Sequence, residues 1–595
     1  MPRAERLEQD GVAFRDLNKN GRLDPYEDPR LPVDERVADL LAQMTLEEKV
    51  GLMFHSVTGV EGMGPPAHVT HGLIRERFIT TLNVYALPDP RAAAEWINGL
   101  QEVAEETRLG IPITLASDPR HAWTENPATS MAAGHLSQWP EQLGLGATGD
   151  EELVREFGDI ARQEYLALGI RIALHPQVDL ATEPRWARSV GTFGEDAELS
   201  GRLGAAYIRG FQGDELGPQS VACMTKHFPG GGAQKDGEDP HFNFGKEQVY
   251  PGGMQEYHLR PFDDVFAAGS AQIMPYYGKP EGTDWEEVGF GFNKDVITGL
   301  LRRRYGFDGV VCTDWSLVTD TQLPSGEVIY AKCWGMEDAS TEERVLKIVE
   351  AGCDQFGGEF CTDVLIGLVQ AGKLTEARID ESARRILRDK FRLGLFDDPY
   401  VDPDEAERVA GKDEFRAAGQ RAQRRSLVLL KNDGILPLRE RPRLYVQNVD
   451  PEIAAGYAEV VATPEEAEVA LIRLQAPYEP REGFLESIFH AGSLAFPPEQ
   501  LEPILDLLGK VPTVVEIFLD RPAVMPEIAA EAAALVASFG AGDEAVLDLV
   551  FGRFSPSGKL PFEIPSSLEA VLVQKPDVPH DSEAPLFPYG HGLGF

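Results

Sequence analysis

Five short apolar runs in this chain end on polar or aromatic side chains, and that recurrence restricts the fold more than any single motif. The runs are Ile111–Ser117, Ile170–Val178, Val221–Thr225, Ala271–Pro275 and Gly309–Thr313. They read as strands, with amphipathic helical segments such as Arg91–Glu106, Asp150–Leu168 and Thr341–Ala351 between them. Strand and helix in alternation imply parallel βα units. The runs are continuously apolar, as strands buried on both faces are. They end at Asp118, at Asp179 with Arg185 close behind, at Lys226-His227, at Tyr276-Tyr277 and at Asp314-Trp315. In a (β/α)8 barrel the active site is built at the C-terminal strand ends. One polar strand end merely starts a loop; five in order point to a shared pocket.

The remaining sequence divides around that core. Ile379–Leu395 predicts a basic amphipathic helix, broken by Asp397-Asp398-Pro399-Tyr400-Val401-Asp402-Pro403. Beyond it, strands are predicted at Ser426–Leu430, Val469–Leu474 and Thr513–Phe518, and helices at Pro498–Leu508, Pro526–Ala534 and Asp543–Phe551. This region is too short for a second barrel. The predicted fold class is therefore α/β: a leader over 1–30, a TIM-type (β/α)8 barrel over 31–397, a linker over 398–415 and an open α/β sandwich over 416–595.

Charge and composition exclude several functions. The 97 acidic residues outnumber 56 basic ones, for a net charge of −41. Nucleic-acid binding needs clustered Lys and Arg, and anionic membranes repel such a surface. No run of about 18 apolar residues marks a membrane helix. Cys223, Cys312, Cys333, Cys353 and Cys361 form no C-x-x-C pair and read as reduced, buried thiols. The first residues hold no apolar h-region, so a cytoplasmic protein is expected.

The leader contains Asp16-Leu17-Asn18-Lys19-Asn20-Gly21-Arg22-Leu23-Asp24-Pro25-Tyr26-Glu27. Asp16, Asn18, Asn20, the Arg22 position, Asp24 and Glu27 match the ligand spacing of an EF-hand loop, which would wrap one structural Ca²⁺. An Asx-rich turn that orders itself without metal fits the same residues.

The motifs, in their order, resemble glycoside hydrolase family 3, the β-glucosidase, exo-glucosidase and β-xylosidase family, over nearly the whole chain. Met44-Thr45-Leu46-Glu47-Glu48-Lys49-Val50-Gly51 resembles its opening helix. Glu183-Pro184-Arg185-Trp186-Ala187-Arg188, then Thr192-Phe193-Gly194-Glu195-Asp196, resembles its PRWGR…FGED signature. Lys226-His227-Phe228-Pro229-Gly230 is similar to its KHFPG, and Gly306–Trp315 to its nucleophile strand. Leu429-Leu430-Lys431-Asn432, Pro556–Pro561 and Phe587–Leu593 match its second-domain motifs.

The resemblance implies a retaining, exo-acting β-glycosidase that needs no cofactor for catalysis. Its substrate would be a β-linked oligosaccharide or an aryl or alkyl β-glycoside, and a homo-oligomer is compatible with it. Such chemistry needs one carboxyl to attack the anomeric carbon and one to protonate the departing oxygen. By the resemblance Asp314 is the nucleophile. Asp118 would accept from outer sugar hydroxyls, and Arg185, Lys226 and His227 would donate to ring hydroxyls. Tyr277 would bond near the nucleophile, and Trp315 would offer a flat face to the sugar. The acid/base is expected in Ala476-Pro477-Tyr478-Glu479-Pro480-Arg481-Glu482, with Glu479 first and Glu482 second. The alternatives are a β-N-acetylhexosaminidase, whose branch uses an Asp/His pair on a barrel loop, and a non-catalytic, calcium-dependent sugar binder. Asp239 and His241 lie near the KHFPG motif, but not at that branch's spacing.

Overall fold

The computed structural model describes residues 4–59, 65–126, 129–131, 133–322 and 326–595. Among them, eight strands close a barrel in chain order: β1 (Phe54–Thr58), β2 (Thr81–Val84), β3 (Thr114–Ser117), β4 (Ile170–Ala173), β5 (Ala222–Phe228), β6 (Gln272–Pro275), β7 (Val310–Trp315) and β8 (Gln355–Gly357). Every neighbouring pair runs parallel. The five runs read from sequence are β3 to β7. The other three escaped the apolar criterion for a physical reason. β1 carries His55, Ser56 and Thr58, β2 carries Thr81 and Asn83, all of them buried, and β8 has three residues.

Capping explains the opening motif. Thr45 accepts from the Glu48 N–H while the Glu48 carboxylate accepts from the Thr45 N–H, starting helix Leu46–Leu52. Lys49 then bridges to Glu376 and Asp380 on the last barrel helix, Glu376–Arg392, at 2.7 and 2.8 Å. First and last turns of the barrel are thereby tied.

The leader is a hairpin, Glu5–Gln9 against Val12–Asp16, reversed at Asp10-Gly11, both with positive φ. Arg15 pairs with Glu105 and donates to the Phe396 carbonyl at 3.0 Å. Leu17 and Tyr26 belong to the barrel's own apolar cluster. The span expected as a linker instead contains helix Pro403–Val409, whose Ala406 and Val409 join that cluster too. The apolar spacing there was hidden by the acids on its other face.

The second domain is a six-stranded sheet: β9 (Val428–Asn432), β10 (Arg443–Gln447), β11 (Glu459–Val460), β12 (Val469–Gln475), β13 (Thr513–Phe518) and β14 (Ala534–Ser538), in the order β9-β14-β13-β12-β10-β11. Only the β9–β14 pair is antiparallel. Helices Pro498–Leu508, Pro526–Glu531 and Asp543–Val550 lie in the predicted places. β12 ends toward the barrel mouth, where Arg481 forks onto Glu238 with two bonds of 2.7 Å. Cys223, Cys312, Cys333 and Cys353 are buried and Cys361 partly so, all as free thiols.

Candidate active site

Consecutive strand ends bring the predicted groups together. Asp118 follows β3, Lys226-His227 close β5, Tyr277 follows β6 and Asp314-Trp315 end β7. The Lys226 ammonium donates to Asp118 Oδ1 at 3.0 Å, and Asn83 from β2 approaches Asp118 Oδ2 at 3.4 Å. Asp118 also keeps a carboxylate edge partly open, at 14% side-chain exposure.

Asp314 is held from behind. Its Oδ1 accepts from the Trp315 N–H at 2.9 Å. The Tyr277 hydroxyl donates to the Trp315 carbonyl at 3.0 Å and accepts from the same N–H at 2.9 Å. The next residue, Ser316, sits at φ +59°, a strained value for a residue with a side chain. Gly357 and Gly358 leave room for the indole, since a Cβ on either would come within 2.8 Å of the Trp315 ring. Asp314 Oδ2 is buried and has no hydrogen-bond partner among the described residues. An unmatched buried carboxylate oxygen is costly, and such groups gather where chemistry is done.

His227 is oriented by Asp179, which sits beyond β4. Its Nδ1–H donates to Asp179 Oδ2 at 2.5 Å, and its backbone N–H donates to Oδ1 at 3.1 Å. Gly231 adds a third bond to that carboxylate, at 2.5 Å. Burial, with Arg188 beside it, holds His227 well below the ordinary imidazole value. Its Nε2, 3.8 Å from Asp314 Oδ2, faces the Arg188 guanidinium at 3.2 Å and so accepts from it. His227 therefore offers an acceptor, where the sequence suggested a donor.

Arg185 needs correction too. Its guanidinium forks onto Glu183, with Nε and Nη2 each at 2.9 Å, and its carbonyl accepts from Arg521 of the second domain. Its charge is spent beside the domain seam. Arg188, three residues on in the same motif, is the arginine that reaches the site: Nη1 lies 3.2 Å from His227 Nε2, and Nη2 donates to Gln177 at 3.1 Å. The spacing of two arginines in one loop could not distinguish them; burial does, since Arg188 is 5% exposed. Lys332 was also missed. It is buried on the β7 loop in the field of Asp314, and burial lowers it to about 8. No sequence signal marks it.

Glu479 and Glu482 both stand exposed on the loop after β12. Glu479 is the better fixed: its N–H donates to the Ala491 carbonyl at 2.9 Å, and Gly492 leaves space for its carboxylate. Two Asp–His pairs lie closer in. His490 donates to Asp520 Oδ2 at 2.5 Å, and both line a cavity beside Lys226 and Arg188. His241 Nδ1 lies 2.6 Å from Asp239 Oδ1, and its ring is 4.7 Å from Tyr277. Burial alone would raise Asp239, but His241 and Arg188 outweigh it and hold the carboxyl well below its usual range. The sequence set Asp239 and His241 aside on spacing; the fold brings them against the site.

The calcium-like loop satisfies itself. Asp16 accepts from the Asn20 and Gly21 N–H groups at 3.0 Å each, and Glu27 from the Leu17 N–H at 2.7 Å. Asp24 Oδ2 receives the side-chain amides of Asn18 and Asn20, at 2.5 and 2.6 Å. Arg22 contributes its backbone N–H to Asn20 Oδ1. Among the described residues no three His, Cys, Asp or Glu side chains converge as a metal cluster.

Comparison with known proteins agrees with this architecture. Residues 37–388 match the glycosyl hydrolase family 3 N-terminal domain and 443–595 its C-terminal domain. A probable β-glucosidase C of Aspergillus flavus is 50% identical over 96% of this chain and 92% of its own. A periplasmic β-glucosidase/β-xylosidase of Dickeya chrysanthemi is 44% identical over 98% of this chain and 93% of its own. A solved β-glucosidase from Erythrobacter marinus superposes with a TM-score of 0.78 at 24% identity, over 96% of this chain and 84% of its own. The periplasmic relative overturns the cytoplasmic expectation. That expectation rested on the lack of an apolar h-region in the first residues, and such a lack does not mark a compartment.

Proposed function

This chain belongs to glycosyl hydrolase family 3 and is a glycoside hydrolase, and on that premise we propose that it is an exo-acting, retaining β-glycosidase for terminal β-D-glucosyl or β-D-xylosyl residues. The observation that carries the reading is the orphan Oδ2 of Asp314. His227 Nε2 lies 3.8 Å from it, and Arg188 Nη1 lies 3.2 Å from that nitrogen. In the first step Oδ2 forms a bond to the anomeric carbon as the glycosidic C–O bond breaks, and an acid gives its proton to the leaving oxygen. In the second step water attacks the same carbon, its proton returns to that group, and the Asp314 ester bond breaks. Tyr277 and the Trp315 N–H keep the carboxylate aimed through both steps. Lys226, Arg188 and Asp118 bond to sugar hydroxyls with charge assistance. Glu479 is the proposed acid/base, Glu482 the second choice.

A second reading has an observation of its own. The Asp239–His241 pair resting on Tyr277 could serve as the acid, and that would turn attention to N-acetylhexosaminides. A 2-deoxy-2-fluoro β-glucoside with a good leaving group tests the main reading. It should inactivate the enzyme and label the peptide containing Asp314. Labelling elsewhere, or an inverted product, refutes it. N-acetylglucosaminide turnover far above glucoside turnover would install the second.

We also propose the Asp16–Glu27 loop as a Ca²⁺ site. The EF-hand spacing of Asp16, Asn18, Asn20, Asp24 and Glu27 supports this reading.

A further inference from the structure

The loop after β12 closes on itself around the proposed acid. Glu479 and Ala491 pair as an isolated bridge, with the Glu479 N–H on the Ala491 carbonyl at 2.9 Å. Arg521, wholly covered, braces that bridge by donating to the carbonyls of Pro477 at 2.8 Å and Gly492 at 3.2 Å. These bonds fix the acid relative to its own sheet. Its distance from Asp314 depends on what ties the loop to the barrel.

Two side chains of the loop reach the barrel, each two residues from the bridge. Arg481 forks onto Glu238 through Nη1 and Nη2, both at 2.7 Å, and its guanidinium lies 5.2 Å from the Phe244 ring. Phe489, 3% exposed, meets the His241 ring at 4.9 Å and the Phe242 ring edge-on at 5.4 Å. All four barrel partners lie on one loop, the one after β5. Asn126 and Glu327 also bond this second-domain loop, but to its backbone and farther from the bridge, at Ile488 and Phe484.

The barrel end of the tie is itself braced. Asp239, next to Glu238, accepts from Trp186 Nε1 at 2.9 Å and from the Tyr276 hydroxyl at 3.0 Å. It also accepts from the His241 ring at 2.6 Å and the His241 N–H at 3.0 Å. On the other side Gly237, at φ +73°, packs so closely that a Cβ would come within 2.4 Å of the Arg185 Cβ. An exposed ion pair between two loose side chains is worth little. This pair is bidentate, joins two braced backbones, and leaves only 22% of Arg481 and 26% of Glu238 exposed.

We propose that Arg481 is a positioning residue for the acid/base. Its fork onto Glu238 sets the height of the second-domain loop, and so the reach of the Glu479 carboxyl to the departing oxygen. That role rests on the placement of the acid proposed above and adds the device that holds it there. Proton transfer needs heavy atoms about 2.6–3.2 Å apart, and a misplacement of about 1 Å can cost about 10²-fold. A leaving group that departs without a proton does not feel the misplacement.

The test measures kcat/KM for phenyl β-glucoside, whose leaving oxygen needs a proton, and for 2,4-dinitrophenyl β-glucoside, whose leaving oxygen does not. The proteins are wild type, Arg481→Met, Arg481→Lys, Glu238→Gln, the double variant Glu238→Gln/Arg481→Met, and Glu479→Gln as reference. Arg481→Met and Glu238→Gln should each lose about 10–100-fold on the phenyl glycoside and less than about twofold on the dinitrophenyl one, with Tm unchanged. The double variant should lose no more than either single variant, since all three remove the same fork. Arg481→Lys keeps the charge without the fork and should recover only part of the rate. An equal loss on both glycosides, no loss on either, or additive losses in the double variant overturns the assignment. If Glu479→Gln and Glu482→Gln both lack the leaving-group signature, the placement of the acid on this loop fails instead.

Discussion

The two halves of the cleft are built in opposite ways. On the barrel side, Asp118, Lys226, His227 and Asp314 are nearly buried at strand ends and cross-braced by hydrogen bonds of 2.5–3.1 Å. On the second-domain side, Glu479 and Glu482 are exposed on a loop, and the contacts that locate this loop belong to its neighbours. Arg481 holds Glu238, Asn126 donates to the Ile488 carbonyl at 2.8 Å, and Arg521 holds the Arg185 carbonyl at 2.9 Å. The half that holds the proposed nucleophile is preorganised by the sheet; the half that holds the proposed acid is positioned by how the domains dock. Strand ends fix a side chain's direction, whereas a loop between domains fixes only a neighbourhood.

Breaking the barrel half should cost most. Asp314→Asn is expected to lower kcat by about 10³-fold or more, with an unchanged melting transition, because it removes the attacking oxygen. Next comes the acid. Glu479→Gln should cost about 10²–10⁴-fold on poor leaving groups, far less on activated ones, and azide should rescue it. Should His241→Asn show that signature instead, all of the chemistry lies in the barrel and the contrast between the halves disappears. The paired arginines sharpen the same comparison at lower amplitude. Arg188→Ala should reduce kcat/KM by about 10–100-fold, as loss of a charged hydrogen bond to substrate does. Arg185→Ala should cost clearly less, since its guanidinium serves Glu183.

The seam itself titrates. Glu141 belongs to the barrel, but its N–H donates to the Phe539 carbonyl of the second domain at 2.7 Å. Burial raises its carboxyl to about 7, against bonds from Trp123 and Thr124 that favour the charged form. The folded state therefore holds a proton that the unfolded chain has lost, from about pH 4.5 to 7. Stability should fall as pH rises across that window and level off above it. Glu141→Gln keeps the acceptor and should flatten the slope, as read from urea midpoints at several pH values. The smallest effect is expected at the leader: millimolar Ca²⁺ should raise Tm by a degree or two in wild type and not in Asp16→Ala.

How far the sequence could be read follows the same division. β3 to β7 are apolar and end on functional groups, so both the fold class and the positions of Asp118, Lys226, His227, Tyr277 and Asp314 were legible. β1 and β2 were not, because a closed barrel can bury Ser, Thr, His and Asn once their bonds are met. Arg188 was hidden by its neighbour Arg185: only the path of the loop decides which of them turns inward. β14 was not read as a strand: its first residue, Ala534, fell at the end of the predicted helix Pro526–Ala534, which stops at Glu531. Asp239, His241, His490 and Asp520 come together from distant segments, and spacing along a chain carries no record of that.

The hydrogen bond from Arg15 to Phe396 spans 381 positions. During synthesis at about 5–20 residues per second, the leader would wait tens of seconds for its partner to emerge. Throughout that interval Tyr26, fully covered in the finished molecule, lacks the Phe396 ring that meets it edge-on at 6.3 Å. The hairpin with its Asp10-Gly11 reversal can close locally before that partner is made. The hairpin is thus secured by a segment made hundreds of residues after it.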